Sequence, residues 1–122
     1  MNKKILIIED EKKINQLLAI NFTGEGFRVD TAMNGEQGLE KIEKFKPDIV
    51  ILDVRLPLID GWEVCKRIKE NPKHKDIPIV MLTALAQKSD MEKAKLVGAD
   101  DFVGKPFEIN MVTEKVKELL KK

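Results

Sequence analysis

The sequence predicts a doubly wound α/β fold, in which a five-stranded parallel sheet carries helices on both faces. Three short runs of β-branched and aliphatic residues, at positions 5–8, 49–52 and 79–82, are typical of strands buried on both sides. The segments between them show apolar residues three or four positions apart, which is the period of a helix. Because strands and helices alternate, the connections are right-handed crossovers between parallel strands.

Two shorter segments complete the predicted sheet. Residues 27–32 follow the first helical segment, and residues 101–103 follow the fourth. The pattern therefore predicts five units, each of which is a strand followed by a helix. Its 122 residues suit a single domain, since domains most often contain about 100 to 150 residues. We expect residues 1–122 to form one domain.

The helices are predicted from apolar stripes and from signals at their ends. The stripes contain Ile14, Leu17, Leu18 and Phe22 in the first helix, Leu39 and Ile42 in the second, Val64, Cys65 and Ile68 in the third, and Ile109, Val112, Val116 and Leu119 in the fifth. Capping-box spacing predicts helix starts at Asn34 and at Ser89. Gly24 and Gly98 stand where the first and fourth helices are expected to end.

Charge and composition exclude several classes of function. The chain has 22 Lys and Arg against 21 Asp and Glu, so a net charge of +1 gives no overall attraction to nucleic acid or to an anionic membrane. No apolar stretch approaches the roughly 20 residues that span a bilayer, and we expect a cytoplasmic protein. The single cysteine, Cys65, cannot form an internal disulfide or a zinc cluster.

Polar residues follow the predicted strands at the edge where α/β proteins bind their ligands. Glu9 and Asp10 follow the first strand, Asp53 the third, Thr83 the fourth and Lys105 the fifth. Clustered carboxylates repel one another unless a cation offsets their charge, and oxygen ligands without His or Cys favour Mg²⁺ or Mn²⁺. Asp53 is then a candidate nucleophile that forms an acyl phosphate, with Lys105 and Thr83 as counter-ion and hydrogen-bond donor for the phosphoryl group.

These residues give the sequence a resemblance to the receiver domains of two-component response regulators, of the single-domain chemotaxis-regulator type. The resemblance extends from Lys4 to about Leu120. It is carried by four segments in order: Glu9-Asp10, residues 53–61 (DVRLPLIDG), Thr83-Ala84, and residues 98–107 (GADDFVGKPF). It implies a flavodoxin-like strand order, 2-1-3-4-5.

The resemblance also implies a function. A sensor histidine kinase would donate a phosphoryl group from phosphohistidine to Asp53. Mg²⁺ would be held by Asp10, Asp53 and the main-chain carbonyl of Arg55, with Glu9 acting through water. Such a protein is a phosphorylated signalling switch rather than an enzyme with a separate substrate.

The switch that the resemblance implies involves two further positions. Thr83 would move toward the phosphoryl group and Phe102 would turn inward. These movements would remodel the face formed by the fourth helix, the fifth strand and the fifth helix, where a downstream protein docks. We expect a monomer or a phosphorylation-dependent dimer, with no direct contact with nucleic acid or membrane. We also expect Arg55 and Leu85, each two residues beyond a site residue, to set the rate of phosphoryl hydrolysis.

Other interpretations remain for each residue and for the whole chain. Taken singly, the Glu9-Asp10 pair can mark a helix start, Asp53 can form an Asx turn, and Lys105-Pro106 can form an ordinary turn. One alternative function is a degenerate receiver that acts only as an interaction module. Another is a Mg²⁺-dependent aspartyl-phosphate phosphatase, which would need a second Asp at the position of Arg55. The sequence lacks both the GxGxxG and the P-loop patterns of nucleotide-binding proteins.

Overall fold

A computed structural model of the chain describes residues 2–84 and 88–121. Within them the strands are β1 Lys4–Ile8, β2 Arg28–Ala32, β3 Ile49–Asp53, β4 Ile79–Thr83 and β5 Asp101–Gly104. All neighbouring pairs are parallel, and the sheet order is β2-β1-β3-β4-β5. The doubly wound α/β fold and its 2-1-3-4-5 order are therefore confirmed. Leu85 lies outside the described residues.

Five helices connect or follow these strands in the described part of the chain. They are α1 Lys12–Gly24, α2 Gly35–Phe45, α3 Gly61–Glu70, α4 Lys88–Leu96 and α5 Ile109–Leu120. Helices α1 and α5 pack on one face of the sheet, where Leu18, Phe22 and Val112 are fully buried. Helices α2 and α3 cover the other face, and α4 lies beside β5. None of the helices described is both long enough and apolar enough to cross a membrane.

The helix-end predictions were right in part. The Asn34 side chain accepts a hydrogen bond from the Gln37 main-chain N–H at 2.9 Å, as the capping-box spacing predicts. Gly98 has a φ of +85°, a left-handed conformation that suits glycine beyond the end of α4. Ser89, however, lies inside α4, so it adopts helical backbone and cannot be the extended residue that a cap requires.

The apolar stripe of α1 is narrower than predicted. Leu18 and Phe22 are buried against the sheet, whereas Leu17 is 51% exposed. A helix that lies on one face of a sheet buries only the stripe that points at that sheet. Leu17 therefore faces outward, although its spacing is that of a core residue.

Candidate functional site

The acidic residues that follow β1 and end β3 lie together at one edge of the sheet. Ile8 pairs with Leu52 in the parallel ladder. Glu9 is the first residue after β1, and Asp53 is the last residue of β3. One carboxylate oxygen from each of Glu9, Asp10 and Asp53 lies within 4.8 Å of the others. Glu9 and Asp53 are buried, while Asp10 is exposed. The structure thus joins three carboxylates in one cluster with a single solvent-facing member.

Lys105 supplies positive charge to this cluster. Its Nζ atom lies 2.8 Å from Glu9 Oε1 and 3.2 Å from Asp53 Oδ2. The residue follows β5 directly, and its main-chain N–H donates to the Thr83 carbonyl at 2.6 Å. Because one ammonium group bridges two buried carboxylates, it offsets part of their mutual repulsion.

The protonation behaviour of the cluster follows from burial and from its charges. Burial raises the pKa of Glu9, the Asp53 carboxyl raises it further, and the hydrogen bond from Lys105 opposes both. Asp10 remains exposed, but the partial loss of water around its carboxyl and the nearby Glu9 charge raise its pKa. Burial opposes the charged form of Lys105, but its contacts with Glu9 and Asp53 outweigh burial and raise its pKa. The cluster therefore stabilises positive charge.

Two other predicted site residues adjoin the cluster. Thr83 is the buried last residue of β4, the strand next to β3. The Arg55 main-chain nitrogen lies 3.4 Å from Asp53 Oδ1. The side chain of Arg55 is exposed. Arg55 and Asp10 both line an open groove of about 570 Å³ beside the cluster. The Arg55 side chain therefore stands at the rim rather than among the carboxylates.

Phe102 is not part of the acidic cluster. It lies on β5, pairs with Met81 of β4 and is half-buried. Together with Met91 and Ala94 of α4, it lines a small apolar pocket of about 140 Å³. The Phe102 side chain thus lies between β5 and α4, and its role as a switch residue stays a prediction.

Gly61, a residue to which the sequence analysis gave no role, allows α3 to approach Asp53. A Cβ atom at Gly61 would lie 2.1 Å from the Asp53 carbonyl oxygen, a separation that no side chain tolerates. Its N–H donates to the Val54 carbonyl at 2.8 Å, which fixes the turn after β3. The available signal was Asp60, a residue type that favours helix starts, directly before Gly61.

Asn15 is a second residue that sequence reasoning missed. It lies on the buried side of α1, and its side-chain amide reaches the Glu9 carbonyl. A polar residue within an apolar stripe was the available signal.

The donor set fits a hard divalent cation. All three side chains of the cluster offer carboxylate oxygens, which Mg²⁺ and Mn²⁺ prefer. Mg²⁺ typically uses one or two protein carboxylates and keeps several waters, a pattern that suits a cluster open to solvent at Asp10. Zinc sites usually include His or Cys, and this cluster contains neither.

Comparison with known sequences points to one family. The profile of the response regulator receiver domain matches residues 5–117. The alkaline phosphatase synthesis transcriptional regulatory protein PhoP of Bacillus subtilis (strain 168) is 43% identical over 122 residues, which are 100% of this chain and 50% of the relative. The chain spans about half the length of the curated relatives it matches.

Solved structures agree in fold. The chemotaxis response regulator CheY4 of Vibrio cholerae superposes with a TM-score of 0.92 at 28% identity, covering 98% of this chain and 99% of its own. The receiver domain of sensor histidine kinase PA1611 from Pseudomonas aeruginosa PAO1 gives a TM-score of 0.90 at 25% identity, with both chains covered in full. That second structure has a magnesium ion coordinated in its active site cleft.

Proposed function

Because the chain belongs to the response regulator receiver domain family, we propose that it is the phosphoacceptor switch of a two-component signalling system. A sensor histidine kinase supplies the phosphoryl group from a phosphohistidine, and Asp53 accepts it with Mg²⁺ at the acidic cluster. The observation that carries this proposal is the Asp53 carboxylate, which lies beside Glu9 and Asp10 and 3.2 Å from the Lys105 ammonium.

The transfer itself is a nucleophilic substitution at phosphorus. A carboxylate oxygen of Asp53 attacks, and the new oxygen–phosphorus bond makes an acyl phosphate. The phosphorus–nitrogen bond of the donor breaks with its electron pair going to the imidazole nitrogen, which takes up a proton from solvent. Lys105 and Thr83 are suited to stabilise the phosphoryl oxygens, through a positive charge and a hydroxyl donor.

The metal would complete this charge balance. Asp10, Asp53 and the main-chain carbonyl of Arg55 would hold Mg²⁺, with Glu9 acting through water. When bound, Mg²⁺ supplies positive charge to the phosphoryl oxygens as a Lewis acid. Support comes from the oxygen-only donor set and from the magnesium ion in the PA1611 receiver domain.

The output of the switch would be read on the face formed by α4, β5 and α5. In this proposal Thr83 moves toward the phosphoryl group and Phe102 turns inward, as a two-state element biased by one local charge change. Exposed Met91 and Met111 lie on α4 and α5 and support an apolar contact there. A downstream protein docks on this face, and the domain is a monomer or a phosphorylation-dependent dimer.

We propose that this domain makes no direct contact with nucleic acid and acts in the cytoplasm. PhoP of B. subtilis is a transcriptional regulatory protein, but this chain matches only 50% of its length. The near-neutral charge of the chain supports the proposal, since DNA binding usually depends on a strong excess of positive charge.

Incubation with acetyl phosphate and Mg²⁺, followed by mass spectrometry, tests the phosphoacceptor role. We expect the wild-type protein to gain one phosphoryl group and the Asp53→Asn variant to gain none. Asp60→Asn is a matched control in the same segment, because the amide still accepts from the Glu63 N–H and keeps the cap of α3. If the wild type gains no phosphoryl group, the protein is a degenerate receiver that acts only by binding.

A further inference from the structure

Asn15 is a polar side chain on the buried side of α1. It is 5% exposed, and the core residue Leu18 lies one turn further along the same side. A buried amide at such a position costs stability unless it is hydrogen-bonded. Its partners therefore indicate what the residue contributes.

The Asn15 amide joins the ends of two neighbouring strands. Its Nδ2 atom lies 2.9 Å from the Glu9 carbonyl oxygen and 3.3 Å from the Ala32 carbonyl oxygen. The Ala32 carbonyl also accepts the Glu9 main-chain N–H at 3.0 Å. A weaker contact of 3.6 Å reaches Met33 Sδ. The Asn15 side chain thus links the main chain just after β1 to the main chain at the end of β2.

This contact fixes the segment that carries the acidic pair. Glu9 is buried, but Asp10 is exposed and gains no support from core packing. The direction of the Asp10 side chain therefore depends on its contact with the Glu9 carboxyl and on the main chain before it, which Asn15 holds at the Glu9 carbonyl. Groups that orient metal ligands from behind commonly change metal affinity about 10- to 100-fold when they are removed.

We propose that Asn15 is a positioning residue for the metal site, holding the Glu9-Asp10 main chain so that the carboxylates are prearranged for a divalent cation. The inference rests on the proposed function, because it requires the acidic cluster to bind Mg²⁺ or Mn²⁺. A residue that served only to stabilise α1 would change the unfolding free energy and leave metal affinity unchanged.

The test separates these two roles with a matched pair of variants. Asn15→Leu keeps the size of the side chain and removes its donor. Asn21→Leu makes the same change on the same helix, where Asn21 Nδ2 donates to Thr113 Oγ1 at 2.8 Å on the α5 side. In Asn15→Ser a shorter side chain with a hydroxyl donor replaces the amide, so this variant serves as the test if Asn15→Leu does not fold.

The measurement is Mn²⁺ binding, followed by the electron paramagnetic resonance signal of free Mn²⁺, with Mg²⁺ as competitor. Urea unfolding of each variant is recorded in parallel. We expect Asn15→Leu to weaken Mn²⁺ binding about tenfold, at the lower end of the usual range. Asn15→Ser should fall between Asn15→Leu and the wild type. Asn21→Leu should bind Mn²⁺ as the wild type does, even where it unfolds at lower urea.

Two results would overturn the inference in distinguishable ways. If Asn15→Leu binds Mn²⁺ within about twofold of the wild type, Asn15 has no positioning role and the proposed function stands. If the wild type and Asp53→Asn bind Mn²⁺ equally weakly, the acidic cluster is not a metal site. The metal part of the proposed function is then wrong, and the inference about Asn15 falls with it.

Discussion

Arg55 stands at the rim of the acidic cluster, with its side chain exposed beside Asp10 in an open groove. A guanidinium group at this position can contact a phosphoryl oxygen and hinder the approach of water. We predict that Arg55→Ala is still phosphorylated but loses its phosphoryl group faster. An exposed contact of this kind contributes up to about 1 kcal/mol, which corresponds to roughly 2- to 5-fold in rate.

The decay of the phosphorylated protein, measured by mass spectrometry after removal of acetyl phosphate, checks this prediction. Arg67→Ala is a suitable control, because Arg67 pairs with Glu63 on the surface of α3. Equal decay rates for Arg55→Ala and the wild type would show that the Arg55 side chain does not protect the phosphoryl group. The companion prediction for Leu85 has no structural account, since that residue lies outside the described part of the chain.

Cys65 is a buried thiol whose pKa is raised by burial to about 12 from an ordinary value of 9.0. In the unfolded chain the thiol ionises from about pH 9, whereas in the folded protein it stays protonated to about pH 12. Its contribution to stability is therefore complete below pH 9 and is lost as the pH rises through this window. The loss amounts to about 1.4 kcal/mol per pH unit.

We expect this loss to appear as a difference between the wild type and Cys65→Ala in urea unfolding at pH 8 and pH 10. Other groups titrate in both proteins and cancel in the difference. The free energy of unfolding should fall more steeply with pH in the wild type. A parallel pH dependence of the two proteins would mean that burial does not hold the Cys65 thiol in its protonated form.

At the scale of elements, the turn between β3 and α3 contains a conformational conflict. Leu58 has a φ of +71°, a left-handed conformation that is unfavourable for a leucine, and its side chain is 79% exposed. Relief of this strain favours glycine by about 1–2 kcal/mol, and the greater freedom of glycine in the unfolded chain offsets part of that gain. We predict that Leu58→Gly stabilises the protein by about 0.5–1 kcal/mol.

Leu58→Ala is the matched control for this prediction, because alanine removes the exposed isobutyl group and keeps the Cβ atom that causes the strain. In thermal unfolding, the melting temperature of Leu58→Gly should be higher than those of Leu58→Ala and the wild type. If Leu58→Ala stabilises as much as Leu58→Gly, side-chain exposure rather than backbone conformation is responsible.

For the whole molecule, binding of a cation at the acidic cluster should raise the free energy of unfolding. A ligand that binds only the folded state stabilises it by about 2.7 kcal/mol at one hundred times its dissociation constant. We predict that Mg²⁺ raises the urea midpoint and that chelation by EDTA reverses the effect. The rise should disappear in Asp53→Asn and persist in Glu43→Gln, whose side chain is exposed on α2.

A rise in the urea midpoint that is equally large in Asp53→Asn would locate the stabilising ion elsewhere on the surface. The comparison is informative because the cluster is destabilised by its own repulsion. Two of its carboxyl groups have raised pKa values, and Lys105 compensates only part of the negative charge. A divalent cation would offset the remainder.

The sequence by itself determined the element order and the chemistry at the strand ends. The period of the apolar residues indicates which face of a local segment is buried. We could therefore predict β1 from the apolar run at 5–8, and α1 from the stripe that contains Leu18 and Phe22. The parallel topology then predicted that acids following different strands share one edge of the sheet. Glu9, Asp10 and Asp53 do lie within 4.8 Å of one another.

Only the tertiary structure decided the contacts between segments distant in the sequence. The bridge from Lys105 to Glu9 joins residues 96 positions apart, and local pattern carries no distance at that range. The sequence did place Lys105 at the same edge of the sheet as Glu9, but not in direct contact with it. It also did not predict the outward position of Leu17, the hydrogen bond from Asn15 to the Glu9 carbonyl or the approach of Gly61 to Asp53. Each depends on how one element packs against another. The spacing of residues in the sequence determines which side chains share a face of a helix or strand, but not which other residues pack against that face.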